Sequence, residues 1–542
     1  MNFDRQSHTV LLILTCLGIF FVNLDALYVN IMEARNFITA REMLHDGNWL
    51  LTTINGEPRY QKPPLPTWLT AISAALFGLK SLTALRLPAA LVTLLLVLVS
   101  HRFFLQLTQR RTFAFVGSLI LATSFYIVFA GRNGQWDIFT HAFMMVCIYQ
   151  FYLFFTSEEK KYRRALWAAV FFSLSFMSKG PVSVYALLLP FLLAFGIVYR
   201  FRNMKSRWLP LLLFLVVAIM LSGWWHWYTY TFDPKSVAEI TQRETANWTG
   251  YNVRPFYYYW SFFTQSGVWT LLAFIALLYP YLKNRVFSKK GYQFTILWTI
   301  LSVVLLSLIP EKKSRYLLPV LIPMAFNTAF YVEYLFRNFK LLTAKLETYP
   351  VYLNFGLIAL IGLVFPLGGY IYLCEQLDGY WVWFVLLSVA LFLISIFMLR
   401  SLFQRQIQPV FYLTIAFIVA IMCLGLPMAK ALTVNPSYKP LSELRQWKAE
   451  QGVTVYEMTD FSPEMVWDYG EPIPILERDG TITIPKAESF GVLVAENDLP
   501  LFHKTFSNYT IEKVMRFDMN PKAPGDRSHK VRLWRDLYLV SR

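Results

Sequence analysis

The residues that could do chemistry in this chain are ionisable side chains set at the edges of long apolar runs. A charge in such a place is costly and needs a reason. Glu33 and Arg35 directly follow the first apolar run. Asn55-Gly56-Glu57-Pro58-Arg59-Tyr60-Gln61-Lys62-Pro63-Pro64 comes next. Asp137 opens one apolar run and Lys179 separates two others. Arg243 and Arg254 lie in a stretch rich in Trp and Tyr, and Lys312, Lys313, Arg315 and Tyr316 fill a short link. Few carboxylates among many cations suit an anionic leaving group beside a general base. Lys and Arg hold a departing phosphate without a metal. A carboxylate takes the proton of an attacking hydroxyl.

Plainer readings compete at each position. Any single Lys or Arg serves equally well as an interfacial anchor whose ammonium or guanidinium snorkels to headgroups. Asp137 reads as well as a helix N-cap. Asp25 suits a structural ion pair. The run Gly223-Trp224-Trp225-His226-Trp227-Tyr228 fits an aromatic belt better than a site, and His226 within it carries no weight.

The elements that must position these residues are mostly membrane spans. Hydrophobic residues make up 56% of the 542, charged residues only 15%, and aromatics 18%. The formal net charge is +17, but the cations cluster between apolar runs. That points to topology and anionic lipid, not nucleic acid. Cys16, Cys147, Cys374 and Cys423 show no C-x-x-C spacing, so neither a disulfide framework nor a zinc site is expected. The run 8–28 lacks a small-residue cleavage signal and reads as a retained helix.

About thirteen spans of roughly 20 residues follow. They are expected near 8–28, 83–105, 113–130, 138–156, 164–178, 181–200, 208–228, 262–282, 291–309, 317–336, 351–373, 380–399 and 409–429. Alternate loops carry Arg102/Arg110/Arg111, Lys160/Lys161/Arg163/Arg164, Arg200/Arg202/Lys205/Arg207, Lys283/Arg285/Lys289/Lys290, Arg337/Lys340/Lys345 and Arg400/Arg405. All six sets fall on one side, the cytoplasmic side by the positive-inside rule. The expected fold is an all-α polytopic membrane domain over 1–434, with outer loops 29–82 and 230–260. A small extracytoplasmic α/β domain over 435–542 follows it. In the first outer loop, Glu33–Leu44 and Trp68–Phe77 suit helices lying at the interface. In the tail, helices are expected at Leu441–Glu450 and between Ala495 and Ser507. Strands are expected at Val453–Met458, Gly491–Ala495 and Val531–Val540. No internal repeat weighs for a repeat-built transporter.

Four stretches, in order, resemble the lipid A aminoarabinose transferases, which are GT-C integral-membrane glycosyltransferases distantly related to protein O-mannosyltransferases. They are Glu33-Ala34-Arg35 with Ala40-Arg41-Glu42-Met43-Leu44, Gly47-Asn48-Trp49 and Lys62-Pro63-Pro64-Leu65; Asp137; Met177-Ser178-Lys179-Gly180; and Gln242-Arg243, Arg254-Pro255-Phe256-Tyr257-Tyr258-Tyr259 and Lys312 to Pro319. The resemblance is strongest over about 25–320. It implies Glu33 or Asp137 as the catalytic carboxylate. It places Lys62 on the lipid phosphate with Arg243 or Arg254 and Tyr316 nearby, and together with the residues above it gives Arg35, Tyr60, Lys62, Lys179, Arg243, Arg254, Lys312, Arg315 and Tyr316 as the expected substrate-binding groups. Met32 stands where relatives have an aspartate, and Gln61 where some have a glutamate. No cofactor is required by this reading, and the part of a divalent metal is left open by those two positions.

The expected function is inverting transfer of a sugar from a polyprenyl-phosphate donor to an extracytoplasmic acceptor. A lipid A-like glycolipid, a polysaccharide and a protein all fit as acceptor. A flippase for lipid-linked sugars is the alternative. The expected setting is a bacterial inner membrane, with the N-terminus cytoplasmic, the tail periplasmic, membrane lipids as neighbours, no nucleic acid, and a monomeric chain.

Overall fold

The computed structural model of the chain describes residues 5–478 and 480–542. In chain order the first helices are α1 (Arg5–Phe20), α2 (Ile31–Asp46), α3 (Leu65–Phe77), α4 (Leu82–Thr108), α5 (Arg111–Thr123), α6 (Phe125–Gly131) and α7 (Asp137–Thr156). Next come α8 (Lys161–Lys179), α9 (Leu189–Val198), α10 (Trp208–Phe232), α11 (Pro234–Gly250), α12 (Thr270–Ala276), the single turn α13 (Tyr279–Leu282) and α14 (Lys289–Leu308). The rest are α15 (Leu321–Asn338), α16 (Lys345–Leu373), α17 (Trp381–Phe403), α18 (Ile407–Ala420), α19 (Leu444–Gln451), α20 (Pro463–Tyr469) and α21 (Leu499–Thr505). The strands are β1 (Thr53–Ile54), β2 (Glu57–Pro58), β3 (Val455–Glu457), β4 (Glu477–Arg478), β5 (Thr481–Ile482), β6 (Ser489–Val494), β7 (Thr510–Asp518) and β8 (Trp534–Ser541).

These elements form two compact units. One comprises residues up to Ala26, Tyr60–Cys374 and Gly379–Met428; the other comprises Leu27–Arg59, Glu375–Asp378 and Ala429–Arg542. The first unit is helical. Among the described residues, eight helices are long and apolar enough to cross a membrane, or nine if α5 and α6, bent by 66°, make one crossing. The expected thirteen are therefore not matched one for one. Residues 8–28 hold a shorter apolar helix, Ser7–Phe20. Residues 164–178 fall in α8, whose first turn carries Lys161, Arg163 and Arg164. Residues 181–200 hold a π-turn, Val184–Leu188, before α9. Residues 262–282 break into a 3-10 stretch, Phe262–Trp269, then α12 and α13, with Gly267 at φ 69° and ψ −119° inside the break. A hydropathy sum cannot see such a break, because it depends on backbone geometry and not on composition. The loop expected at 230–260 likewise contains a regular helix, α11, whose first turn is capped by the Asp233 carboxylate.

Within this unit α7 lies along α8 and α4, and α15 lies along α5. The α5–α15 approach is close because Gly117 faces the Phe326 ring. That ring stacks on Phe104 with centroids 3.5 Å apart. The end of α7 is held by two arginines. Arg164 donates to the Leu153 and Ser157 carbonyls, and Arg207 Nε donates to the Phe154 carbonyl at 3.0 Å. Cations at a helix C-terminus satisfy its last carbonyls and oppose its dipole.

The second unit is built on a four-stranded sheet of order β3-β6-β8-β7, with β3 parallel to β6 and the other pairs antiparallel. Side chains alternate between its faces, as a pleated strand requires. Leu493, Phe517 and Leu537 join Leu441, Leu444, Met465 and Ile38 of α2 on one side. Phe490, Val492, Val494, Tyr538 and Val540 meet Phe502 and Phe506 of α21's segment on the other. The helix α2 does not behave as an interfacial helix within this unit. Its residues from Asn36 to Met43 are all buried, Ile38 among them. The turn Asn55-Gly56 follows the same pattern. Asn55 exchanges two hydrogen bonds with the Ile473 backbone, at 2.7 and 2.8 Å, while Glu42 accepts the Asn55 N–H at 2.7 Å. Residues 27–59, expected as an outer loop of the membrane domain, thus pack with 429–542. The helix α20 and the long edge strand β7 were not expected from sequence.

Candidate active site

Helices α7 and α8 form an antiparallel hairpin, so the first residue of one lies beside the last residue of the other. Asp137 opens α7, and no side chain caps that helix end. Lys179 closes α8, and Gly180 follows at φ 70° and ψ −149°, a conformation open only to glycine. That glycine stops the helix directly after the lysine. Lys179 Nζ forms an ion pair with Asp137 Oδ1, the two side chains being 8% and 3% exposed. A carboxylate at a helix N-terminus and an ammonium at a helix C-terminus each oppose the local dipole. Asp137 therefore acts as an ion-pair partner and not as an N-cap. Its other oxygen, Oδ2, is buried without a hydrogen-bond partner among the described residues, as is Arg315 Nε.

A link between α14 and α15 brings the rest. The Tyr316 ring lies 5.3 Å from Lys179 Nζ, and its hydroxyl donates to Glu311 Oε1 at 3.1 Å. Lys313 pairs with the same Glu311 carboxylate, and the Arg315 guanidinium lies 5.8 Å from the Tyr316 ring. One turn below Asp137, Ser183 Oγ meets His141 Nδ1 at 2.6 Å and the Thr140 hydroxyl at 3.1 Å. Thr140 in turn meets Ser175 of α8 at 3.1 Å. This buried polar chain ties α7, α8 and the π-turn together directly beneath the ion pair.

The other expected residues take different places. Lys312 is 4% exposed, and its ammonium donates to the Arg254 carbonyl at 2.9 Å and to the Ile309 carbonyl at 2.6 Å. Burial lowers its pKa. It ties two loops together, an arrangement extended by a backbone bridge between Val253 and Glu311. The side chains of Arg254 and Arg243 are exposed, the latter on α11. Tyr60 donates to Asp233 Oδ2 at 2.8 Å and sits edge-on to the buried Trp225. Burial and the Asp233 carboxylate both push the Tyr60 phenol up. Burial alone would raise Asp233, but hydrogen bonds from Tyr60 and Ser236 outweigh it and hold it low. Lys62 is half-buried in the approach to α3. Glu33 and Arg35 belong to the second unit. There Glu33 completes a capping box with Asn30 at the start of α2, and Arg35 is exposed.

The structure thus assembles Asp137, Lys179, Arg315 and Tyr316. It adds Glu311, His141 and Ser183 to that cluster and, apart from it, Asp233 beside Tyr60, none of them singled out from the sequence. Two left a signal: Glu311 immediately precedes the basic link, and Asp233-Pro234 is a helix-start pair. Among the described residues no three His, Cys, Asp or Glu side chains cluster to hold a metal ion.

Residues 61–227 match the model of the dolichyl-phosphate-mannose-protein mannosyltransferase family. An uncharacterized protein of Aquifex aeolicus is 26% identical over 298 residues, covering 54% of this chain and 57% of that protein. The undecaprenyl phosphate-alpha-4-amino-4-deoxy-L-arabinose arabinosyl transferase 1 of Proteus mirabilis is 24% identical over 347 residues, covering 62% of this chain and 61% of that one. The matched stretch thus spans about three fifths of these relatives' lengths. The crystal structure of ArnT from Cupriavidus metallidurans bound to undecaprenyl phosphate superposes with a TM-score of 0.70 at 15% identity, covering 99% of this chain and 98% of that one. The apo form of the same protein gives 0.65 at 16% identity. In sequence around the Asp137–Lys179 hairpin, and in fold over nearly its whole length, the chain resembles the GT-C integral-membrane glycosyltransferases of the aminoarabinose-transferase and protein O-mannosyltransferase type.

Proposed function

We propose that the chain is an inverting glycosyltransferase that moves a sugar from a polyprenyl-phosphate donor to an acceptor on the outer side of a bacterial inner membrane. The observation that carries this reading is the Asp137 carboxylate. One oxygen is neutralised by Lys179, while the other is buried, unpartnered, and in the company of Arg315 and Tyr316. A buried polar atom without a partner is costly, and an acceptor hydroxyl would satisfy it. The printed name of the Proteus mirabilis relative, an undecaprenyl phosphate-alpha-4-amino-4-deoxy-L-arabinose arabinosyl transferase, supports the donor class.

In the proposed step the acceptor oxygen attacks the anomeric carbon from the face opposite the phosphate. The carbon–oxygen bond to phosphate breaks, and the lipid phosphate leaves with the bonding electrons. The hydroxyl proton passes to Asp137 Oδ2. Lys62 and Arg315 supply positive charge to the departing phosphate. Lys179 pairs with Asp137 Oδ1 and so aims Oδ2. If the acceptor is itself a phosphate, no base is needed and Asp137 only orients it. Glycolipid, polysaccharide and protein acceptors all suit this chemistry. The basic ends of the helices belong in the cytoplasm by the positive-inside rule, with the second unit outside.

The test is sugar transfer from purified polyprenyl-phosphate donor to each acceptor class. Loss of a positioned base costs about 10²- to 10⁴-fold. Asp137→Ala should fall by that order with a hydroxyl acceptor, and Lys62→Ala should weaken donor use. Full transfer by both variants would sink the assignment.

A further inference from the structure

The hairpin that places Asp137 at one end carries a second feature at the other. Between α7 and α8 lies an open groove of about 470 Å³. Its rim holds Lys160, Arg163 and Arg164 against one carboxylate, Glu159. Its floor is Leu153, Trp167 and Phe171. Arg164 is committed to the carbonyls at the end of α7. The side chains of Lys160 and Arg163 are exposed and make no hydrogen bond or ion pair among the described residues. Arg163, Trp167 and Phe171 recur every four residues, so they line one face of α8. Trp167 is 49% exposed, and its ring lies 6.0 Å from that of Phe171.

The groove is therefore cationic at the helix ends and aromatic one and two turns further in. That gradient matches a lipid, with charge at the head and hydrocarbon behind it. A free anion would use the rim and leave the floor idle. α7 has 20 residues, a length of roughly 30 Å, which is also about the thickness of the hydrocarbon core. The charged rim thus lies at the far end of the hairpin from Asp137, and even Phe171, eight residues before Lys179, stands roughly 12 Å along α8 from the ion pair, so the groove is not part of the candidate active site. We propose that it binds one anionic phospholipid of the cytoplasmic leaflet, its phosphodiester on Lys160 and Arg163 and its acyl chains along Trp167 and Phe171. This rests on the membrane-spanning fold and not on the proposed reaction.

The test uses the full chain in phosphatidylcholine nanodiscs doped with either brominated phosphatidylglycerol or brominated phosphatidylcholine. Bromine quenches tryptophan on contact, and the difference between wild type and Trp167→Phe isolates Trp167. Each cation near a lipid surface contributes about a fivefold preference for anionic lipid. Half-quenching of Trp167 should therefore need about 25-fold less of the brominated phosphatidylglycerol. The Lys160→Gln/Arg163→Gln variant should lose that preference, and Lys160→Arg should keep it. In wild type, about 1 M salt should erode it, a readout that needs no variant. Equal quenching by the two lipids overturns the proposal. So does a preference indifferent to salt, or one retained by a double variant with wild-type elution. Release by millimolar inorganic phosphate would show a soluble-anion site and overturn it equally.

Discussion

Asp137 and Lys179 must be judged as a pair. Each is buried, so removing one leaves the other as an uncompensated charge, a loss of about 3–5 kcal/mol. Lys179→Met alone should therefore lower the melting temperature in detergent sharply. The Asp137→Asn/Lys179→Met double variant should regain most of that stability without regaining transfer. If the double variant regains transfer as well, the pair is structural only. Tyr316 separates two contributions of one side chain. Tyr316→Phe keeps the ring over Lys179 and loses the hydroxyl bond to Glu311, worth about 0.5–1.5 kcal/mol. Its melting temperature should fall slightly, while Tyr316→Ala should lose stability and transfer together. Asp137 and Lys179 were legible in the sequence as charges beside apolar runs, and Tyr316 as part of a basic link. Glu311 was visible only as a neighbour of that link, because its role comes from the Tyr316 hydroxyl and Lys313 that meet on it.

At the scale of elements, backbone breaks decide which apolar runs remain single helices. Gly267 sits at a φ of 69°, and a Cβ there would come 2.8 Å from the Phe125 Cβ. Gly267→Ala should destabilise the first unit by about 1–3 kcal/mol through backbone strain, before the collision is counted. A thermal melt in detergent measures this, and an unchanged midpoint would mean that the break relaxes freely. The basic loops after α7 and α9 show a second limit. Their arginines were legible as a topological signal, but Arg164 from the first and Arg207 from the second also close the α7 carbonyls. Of the cations at the groove rim, Lys160 and Arg163 are left exposed.

At the scale of the molecule, the second unit is discontinuous, which changes how a truncation is read. Removing 435–542 strips Ile38 of the core it shares with Leu441, Leu493 and Leu537. It also strips Asn55 of its two bonds to Ile473. Deleting the tail should therefore make 27–59 sensitive to protease, and protection of that segment would contradict the shared core. Acid should loosen the β7–β8 edge of this unit in a defined way. Burial opposes ionisation of Asp536 and Asp518, but bonds from Arg516 and Lys513 to the first outweigh it. Bonds from His529, Asn520 and Asn435 do the same for the second. Both are held low, so their stabilisation is full above a pH of about 4 and is lost as pH falls through their folded values. Glu457, Glu42 and Asp468 work the other way. Burial, only partly offset by their hydrogen bonds and neighbouring arginines, holds them high, so their contribution is lost as pH rises from about 4 through their folded values. Amide protection in β7 and β8, corrected for intrinsic exchange, should drop below that pH. Asp536→Asn should flatten the drop.

The apolar runs, the basic clusters, the change of character after about residue 434 and the positions of most candidate charges were determined along the chain itself. Each is a local sum or a local period, which needs no knowledge of what packs where. The fold class followed from them, and so did most tail elements. What only the tertiary structure decided are the pairings. Residues 137 and 179 meet because α7 and α8 pack, 311 and 316 meet because a link turns back on itself, and α2 is buried because a sheet some four hundred residues later supplies its partners. Those contacts join segments distant in sequence, and their energy exists only once both are in place.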